Sequence, residues 1–361
     1  MFEHTRIVGA RATGPAHARD GRGCDDAFAW RQYGDAVQVL AVADGAGSVS
    51  GTSAWGSWAA TQFVIHDDVA RGLVTDLMRA ANRDEAGRSL RLLFLGALRH
   101  VAYHASRLRI PLSLTNTTLI VAVLTPLRTW IAEIGDGIVA VADRADARTL
   151  LMESKGDGPA SDTFFLQLLG RAPEHEAFRF EVLDGLEAIA LSTDGLRYQA
   201  TQVQHDYAAY PGFFETWWRN VDKGLTSEEM NRQIEAFPVD GDVPLDDKTL
   251  VVGIRTPSPS SLDWHQDLLN TGPSSSDCSP MPELPSRADR SPDAGDRQSP
   301  SDEPAPVDAD RAEPAQGPVG RRFFGTGSGI PREPDPAPVV SQDPPVGGTL
   351  ESSASATREP D

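Results

Sequence analysis

Cysteine is nearly missing from this chain. Its 361 residues contain 2, Cys24 and Cys278, too few for a disulfide framework. Cys24 precedes two acids, which raise rather than lower a thiol pKa, so it is a poor nucleophile. Long apolar runs are missing as well. No segment approaches the ~18–20 residues of a membrane helix, and the N-terminal MFEHTRIVGARATG lacks the apolar core of a signal peptide. Basic residues are outnumbered, 33 Lys and Arg against 52 Asp and Glu, for a formal net charge of −19. That balance repels phosphate backbones and so excludes general nucleic-acid binding, but it suits divalent cations. The expectation is a cytoplasmic protein with neither a membrane nor a nucleic-acid partner.

Aromatic and β-branched residues become scarce after Thr256, where most of the 27 prolines lie among Ser, Asp, Glu and Gly. Such a composition cannot bury enough apolar surface to offset ordering entropy, so residues 257–361 are expected to form a disordered tail. Residues 319–330, VGRRFFGTGSGI, are an island in it. Arg321-Arg322 beside Phe323-Phe324 reads as a docking motif that orders on a protein partner. The GTGSG that follows lacks the strand, helix and Lys of a phosphate-cradling loop.

Residues 1–256 carry the folding signals. Apolar β-branched runs at 5–13, 26–33, 37–43, 117–124, 129–134, 138–141, 178–182, 188–192 and 249–254 predict strands. Helical spacing runs from Thr52 to Ala80, with Trp55 and Trp58 as packing residues, and again from Glu85 to Leu108. Residues 206–236 look mainly helical, with Trp217 and Trp218 in their core. GPAHARDGRGCDD and SKGDGPASDT read as loops. Strands with intervening helices imply an α+β sandwich with helices packed on sheets.

Several strands end or begin in aspartate: VLAVADG at Asp44, IAEIGDG at Asp136, IALSTDG at Asp194, and Asp246-Asp247 before TLVVGI. One such Asp-Gly is ordinarily a turn. Repeated, they can gather at one sheet edge, where carboxylates repel unless cations sit among them. Mg²⁺ and Mn²⁺ prefer oxygen ligands, and a pair of them can activate a bridging water and neutralise a phosphoryl group. The glycines would let water or a backbone carbonyl come close.

The order CDDAF, VLAVADGAGS, NTTLIVAVL, IGDGIVAV, ALSTDGL, DDKTLVVGI resembles the metal-dependent protein Ser/Thr phosphatases of the PP2C type, the bacterial PPM family, from about Arg6 to Arg255. The resemblance implies a central antiparallel β-sandwich flanked by helices. It also implies a centre of two Mn²⁺ or Mg²⁺ ions, with a third, weaker site. Phosphoserine and phosphothreonine would be hydrolysed by a water bridging the two ions, reversing a protein kinase. By the same resemblance Asp44 bridges the metals and the Gly45 carbonyl ligates one. Asp194 and Asp246 ligate the second, Asp247 stands beside them, Asp26 orients the water, and Asp136 serves the third site. The segment SKGDGPASDTFFL resembles the family's flap. Arg22 lies one residue out of register with the family's phosphate-holding Arg, with His17 and Arg19 as alternatives. Ala46 stands where some members place a histidine acid, leaving proton delivery to His17, to metal-bound water, or to neither. Asp25 reads as a solvated loop acid. The competing reading is a catalytically weak or inactive phosphoprotein-binding module on the same fold, with the tail recruiting a partner.

Overall fold

A computed structural model describes residues 5–33, 37–46, 51–143, 147–150, 163–171, 177–202, 208–237, 246–255 and 273–283. All fall within one compact unit, Met1–Ser301. The chain runs through β1 (Thr5–Ala12), α1 (Pro15–Arg19), β2 (Ala27–Tyr33), β3 (Val37–Ala43), α2 (Ser53–His66), α3 (Asp68–Arg79) and α4 (Arg83–Leu108). It continues through β4 (Leu119–Leu124), β5 (Arg128–Ile134), β6 (Ile138–Ala142), β7 (Ala147–Leu150), β8 (Arg179–Asp184) and β9 (Ala188–Ser192). Then come α5 (Arg197–Ala200), β10 (Thr201–Gln202), β11 (Ala208–Ala209), α6 (Pro211–Asp222), α7 (Ser227–Glu235), β12 (Lys248–Arg255) and β13 (Pro273–Cys278).

Two antiparallel sheets carry the fold, ordered β1-β12-β9-β6-β7 and β13-β2-β3-β4-β5-β8. Their central strands, such as β3, β4 and β9, are apolar on both faces because both faces are covered. In β3, Leu40 and Val42 enter the layer between the sheets, where they join Ile120, Ile131, Val139, Leu191 and Val251. The alternate residues Val37, Val39, Ala41 and Ala43 face α2, α3 and α4. In β9 and β12, Ala190, Leu250 and Val252 face α6 and α7, with Phe214 and Trp217. The expected helix-flanked sandwich is therefore present as four layers. Among the described residues, no helix is long and apolar enough to cross a membrane.

Local chemistry divides segments that the sequence pattern runs together. The helical stretch 52–80 is two helices, because the Asp67 side chain accepts from the Val69 N–H and caps a new start. The stretch 206–236 is also two. Gly224 takes φ +103°, and a Thr226/Glu229 capping box restarts the chain as α7. Inside the loop GPAHARDGRGCDD, Pro15 sits in the first turn of α1, where a missing N–H costs nothing.

The folded unit also extends past Thr256, where the expected tail begins. Pro273–Cys278 pairs antiparallel with β2, with an irregularity between Pro273 and Ser275. The buried Ser279 accepts from Phe28 N through its hydroxyl (2.7 Å) and donates its own N–H to Phe28 O (2.8 Å). The Trp55 indole N–H on α2 donates to Glu283 O (3.1 Å). Polar residues can form this strand because it lies at the sheet edge. The expected tail from 284 onward and its docking motif at 319–330 lie outside the described residues.

Two changes test the strand by urea denaturation. Ser279→Ala leaves the buried Phe28 N–H without its acceptor and should cost about 1–3 kcal/mol. Deleting 257–361 should cost more than that substitution. A deletion as stable as the full chain would show that β13 contributes nothing.

Candidate metal centre

Antiparallel register brings the acids to one end of the sandwich. Ala27 at the start of β2 faces Ala43 at the end of β3, so Asp26 and Asp44 are neighbours in one sheet. Ser192 at the end of β9 faces both Ile138 of β6 and Leu250 of β12. Asp136, Asp194 and Asp246 therefore share that end in the other sheet. The sequence-based expectation was one sheet edge; the arrangement is the common end of two packed sheets.

The backbone around each acid is tied down. Asp44 N–H donates to Thr118 Oγ1 (2.9 Å), and Asp44 O accepts from Thr118 N and Thr117 Oγ1 (2.9 Å each). Gly45 forms an isolated bridge with Thr117. The buried Thr193 hydroxyl donates to Asp26 Oδ2 (2.7 Å) and accepts from Thr249 N (3.0 Å), so one side chain joins β9, β12 and the start of β2. Arg11 Nη1 donates to Asp26 O (2.5 Å). Asp136 is held differently. Arg197 Nη2 donates to its backbone oxygen (2.8 Å) and lies 3.6 Å from its carboxylate, which also accepts from Thr163 Oγ1 (3.1 Å).

The glycines after the aspartates have a packing cause. A Cβ on Gly45 would lie 2.5 Å from Asp25 O and 2.8 Å from the Ser53 backbone. One on Gly195 would lie 1.8 Å from Asp247 O. Glycine is needed because other backbone segments cross there: of the two expected approaches, water or a backbone carbonyl, it is the carbonyls of Asp25 and Asp247 that come close.

Asp44 and Asp194 are partly exposed and Asp246 is exposed, so the cluster opens to solvent. Burial, and then the charges of Asp26, Asp194, Asp246 and Asp136, push the Asp44 carboxyl well above the ordinary carboxylate value. Burial, then Asp247 and Asp246, push Asp26 up likewise, opposed by hydrogen bonds from Thr193 and Thr249. An all-oxygen set whose members repel one another fits hard divalent cations, whose charge would add an attraction that outweighs the repulsion.

Two acids have roles the sequence did not show. Asp25, expected in solvent, is buried. Its carboxylate accepts from Arg22 Nη2 (2.7 Å) and Ser53 Oγ (2.6 Å), and its backbone oxygen from Ser57 Oγ (2.5 Å). It is buried because α2 packs over it, a tertiary contact that the polar local sequence GRGCDD does not reveal. Asp247 is also buried. Its oxygens accept from Gly14 N (2.6 Å), Asp25 N (2.5 Å) and His17 Nδ1 (2.9 Å). His17, Asp25 and Asp247 each bring a potential ligand atom within 4.8 Å of the others. Here they serve as a hydrogen-bonded latch between the α1 loop and β12. The adjacent acid pairs were the available signal, but not which member turns inward.

The remaining expected residues divide in the same way. His17 stands beside the cluster, close enough for its charge to act on Asp246. Arg22 is paired with Asp25, and the Arg19 side chain is 68% exposed beside Asp20. Cys24 is buried, and burial, then Asp26 and Asp247, raise its thiol pKa, in keeping with an inert thiol. Of the expected flap, residues 154–162 lie outside the described residues.

A bacterial serine phosphatase aligns in structure at 16% identity and TM-score 0.48, covering 71% of this chain and all (100%) of its own. The serine/threonine phosphatase Stp1 from Staphylococcus aureus aligns at 15% identity and TM-score 0.43, covering 70% of this chain and 95% of its own. No curated protein matches the chain. The family model for protein phosphatase 2C matches residues 13–237, more than half of the chain. The chain belongs to the protein phosphatase 2C family, the protein serine/threonine phosphatases.

Proposed function

We propose that this protein is a metal-dependent hydrolase of phosphoserine and phosphothreonine in a protein substrate, opposing a protein kinase. The observation that carries the reading is the convergence of Asp26, Asp44, Asp136, Asp194 and Asp246 at one solvent-open end of the sandwich. Asp44, Asp194, Asp246 and the Gly45 carbonyl would hold two Mn²⁺ or Mg²⁺ ions, with Asp136 at a third, weaker site. When bound, such ions supply an activated water and neutralise charge on the phosphoryl group.

The chain's own residues have separate tasks. Asp26, fixed by the Thr193 hydroxyl, is assigned to orient the attacking water. His17 is assigned to protonate the leaving alkoxide. Its Nδ1 is engaged by Asp247, which sets the tautomer and leaves Nε2 as the atom that takes up and gives the proton. Ala46 has no proton to give. Arg22 is the candidate phosphate contact, though Asp25 already holds its guanidinium and substrate would have to share it. Composition supports a cytoplasmic location, and residues 319–330 are the proposed dock for a protein partner.

Asp44→Ala should lower Mn²⁺-dependent turnover of p-nitrophenyl phosphate and of a phosphothreonine peptide by about 10²–10⁴-fold. Turnover that survives both this substitution and chelation would sink the mechanism. Phosphopeptide retention without turnover in the unmodified protein would instead favour a binding module.

His17→Gln separates proton delivery from positioning. p-Nitrophenolate leaves without a proton, whereas a threonine alkoxide needs one. Turnover of the phosphothreonine peptide should fall by about 10²-fold, with p-nitrophenyl phosphate little changed. Equal losses on both substrates would reduce His17 to a part of the latch.

A further inference from the structure

Away from the acid cluster, α4 carries two histidines one turn apart. Their Nε2 atoms face each other at 3.1 Å, and the ring centroids are 4.6 Å apart. Residues i and i+4 share a helix face, so the spacing alone makes the pair. Aromatic walls hold both rings in place. Phe63 lies 5.7 Å from His100, and Trp58 and Tyr103 lie 5.4 and 5.5 Å from His104, centroid to centroid. Burial lowers the pKa of both imidazoles, with His100 and Arg107 adding to the effect at His104. Neutral imidazole is the form that ligates metals.

Two neutral imidazoles can meet this way through one hydrogen bond or around one cation. With metal–nitrogen bonds of about 2.0–2.1 Å, the 3.1 Å separation closes an N–metal–N angle of about 95–102°. That falls between the octahedral value of about 90° and the tetrahedral value of about 109°. The Asp67 carboxylate is near enough for its charge to act on His100, and it adds attraction for a cation. Imidazole selects ions such as Zn²⁺ and Ni²⁺ over the hard ions that suit carboxylates.

We propose that His100 and His104 form a transition-metal site, taking Zn²⁺ or Ni²⁺, separate from the aspartate cluster. Both ligands belong to one helix, so the ion would staple a single turn of α4 where it lies beside Trp58 and Phe63 of α2, and would take no part in hydrolysis. The chain would then hold two metal sites of opposite preference, oxygen-only at the end of the sandwich and nitrogen-based on the helical layer.

Calorimetric titration of the full chain with Zn²⁺ tests this, in the unmodified protein and in Asp44→Ala, which removes the central acid of the cluster. The unmodified protein should bind Zn²⁺ at the acid cluster and at the histidine pair, and the event assigned to the pair should persist in Asp44→Ala. In the Asp44→Ala background, His100→Gln and His104→Gln should each weaken that binding by about tenfold or more. As single substitutions they should leave Mn²⁺-dependent turnover of p-nitrophenyl phosphate unchanged. Zn²⁺ affinity unaffected by either Gln substitution would leave only the hydrogen bond and overturn the proposal. Should a variant fail to fold, imidazole NMR of the Asp44→Ala protein decides. Zn²⁺ moves the His100 and His104 ring resonances together, or it leaves one of them in place and the proposal falls.

Discussion

Carboxylates repel, and this protein gathers five of them at one end of a sandwich. Two unit charges 6 Å apart at an effective dielectric of 20 repel by roughly 3 kcal/mol. A whole domain is stable by only about 5–15 kcal/mol. A cluster of this kind therefore cannot hold itself together; the surrounding fold must impose it. Burial first, and the neighbouring carboxylates second, raise the pKa values of Asp26 and Asp44, and both are imposed by the fold.

The imposition comes from layers of apolar strand buried on both faces. Leu40, Val42, Ile120 and Val251 lock the two sheets to each other. The helical layers fix the outer faces through Phe63, Phe94, Phe214 and Trp217. Once register is set in both sheets, the strand ends carrying the acids have no freedom to separate. The close backbone crossings at Gly45 and Gly195 then fix the approach of one segment to the next. Bound divalent ions would relieve the remaining repulsion, so stability and metal loading are linked in the same residues.

The sequence made the sheets and the aspartate ends legible because both signals are local. A β-branched run that stops on Asp-Gly declares its own end, and repetition of the pattern in order declares a cluster. What it left out depends on contacts between distant residues. The break at Asp67 is the exception, a local side-chain cap set within a continuous helical pattern. β13 reads PSSSDC, with no apolar alternation, and exists because β2 offers an open edge and Ser279 can bond Phe28. Asp25 looks solvated until Ser53 and Ser57, 28 and 32 residues later, fold over it. The His100/His104 pair is visible as an i,i+4 spacing, but the aromatic walls that orient the rings come partly from another helix.

The two adjacent acid pairs show why the sequence could name the cluster and not its support. In Asp25-Asp26 and Asp246-Asp247, neighbouring side chains at a strand start turn opposite ways, as successive residues in extended chain do. One member of each pair, Asp26 and Asp246, acts electrostatically on Asp44 itself. The other member is buried in a loop contact. Those two supporting acids meet, since Asp25 donates its backbone N–H to the Asp247 carboxylate. Asp25 continues the chain of bonds through Ser53 and Ser57 into α2, while Asp247 continues it into His17 and Gly14. A buried carboxylate is costly unless every lone pair finds a donor. Here that cost is offset by tying β12 of one sheet to the helix covering the other, across the end where the cluster must be held open.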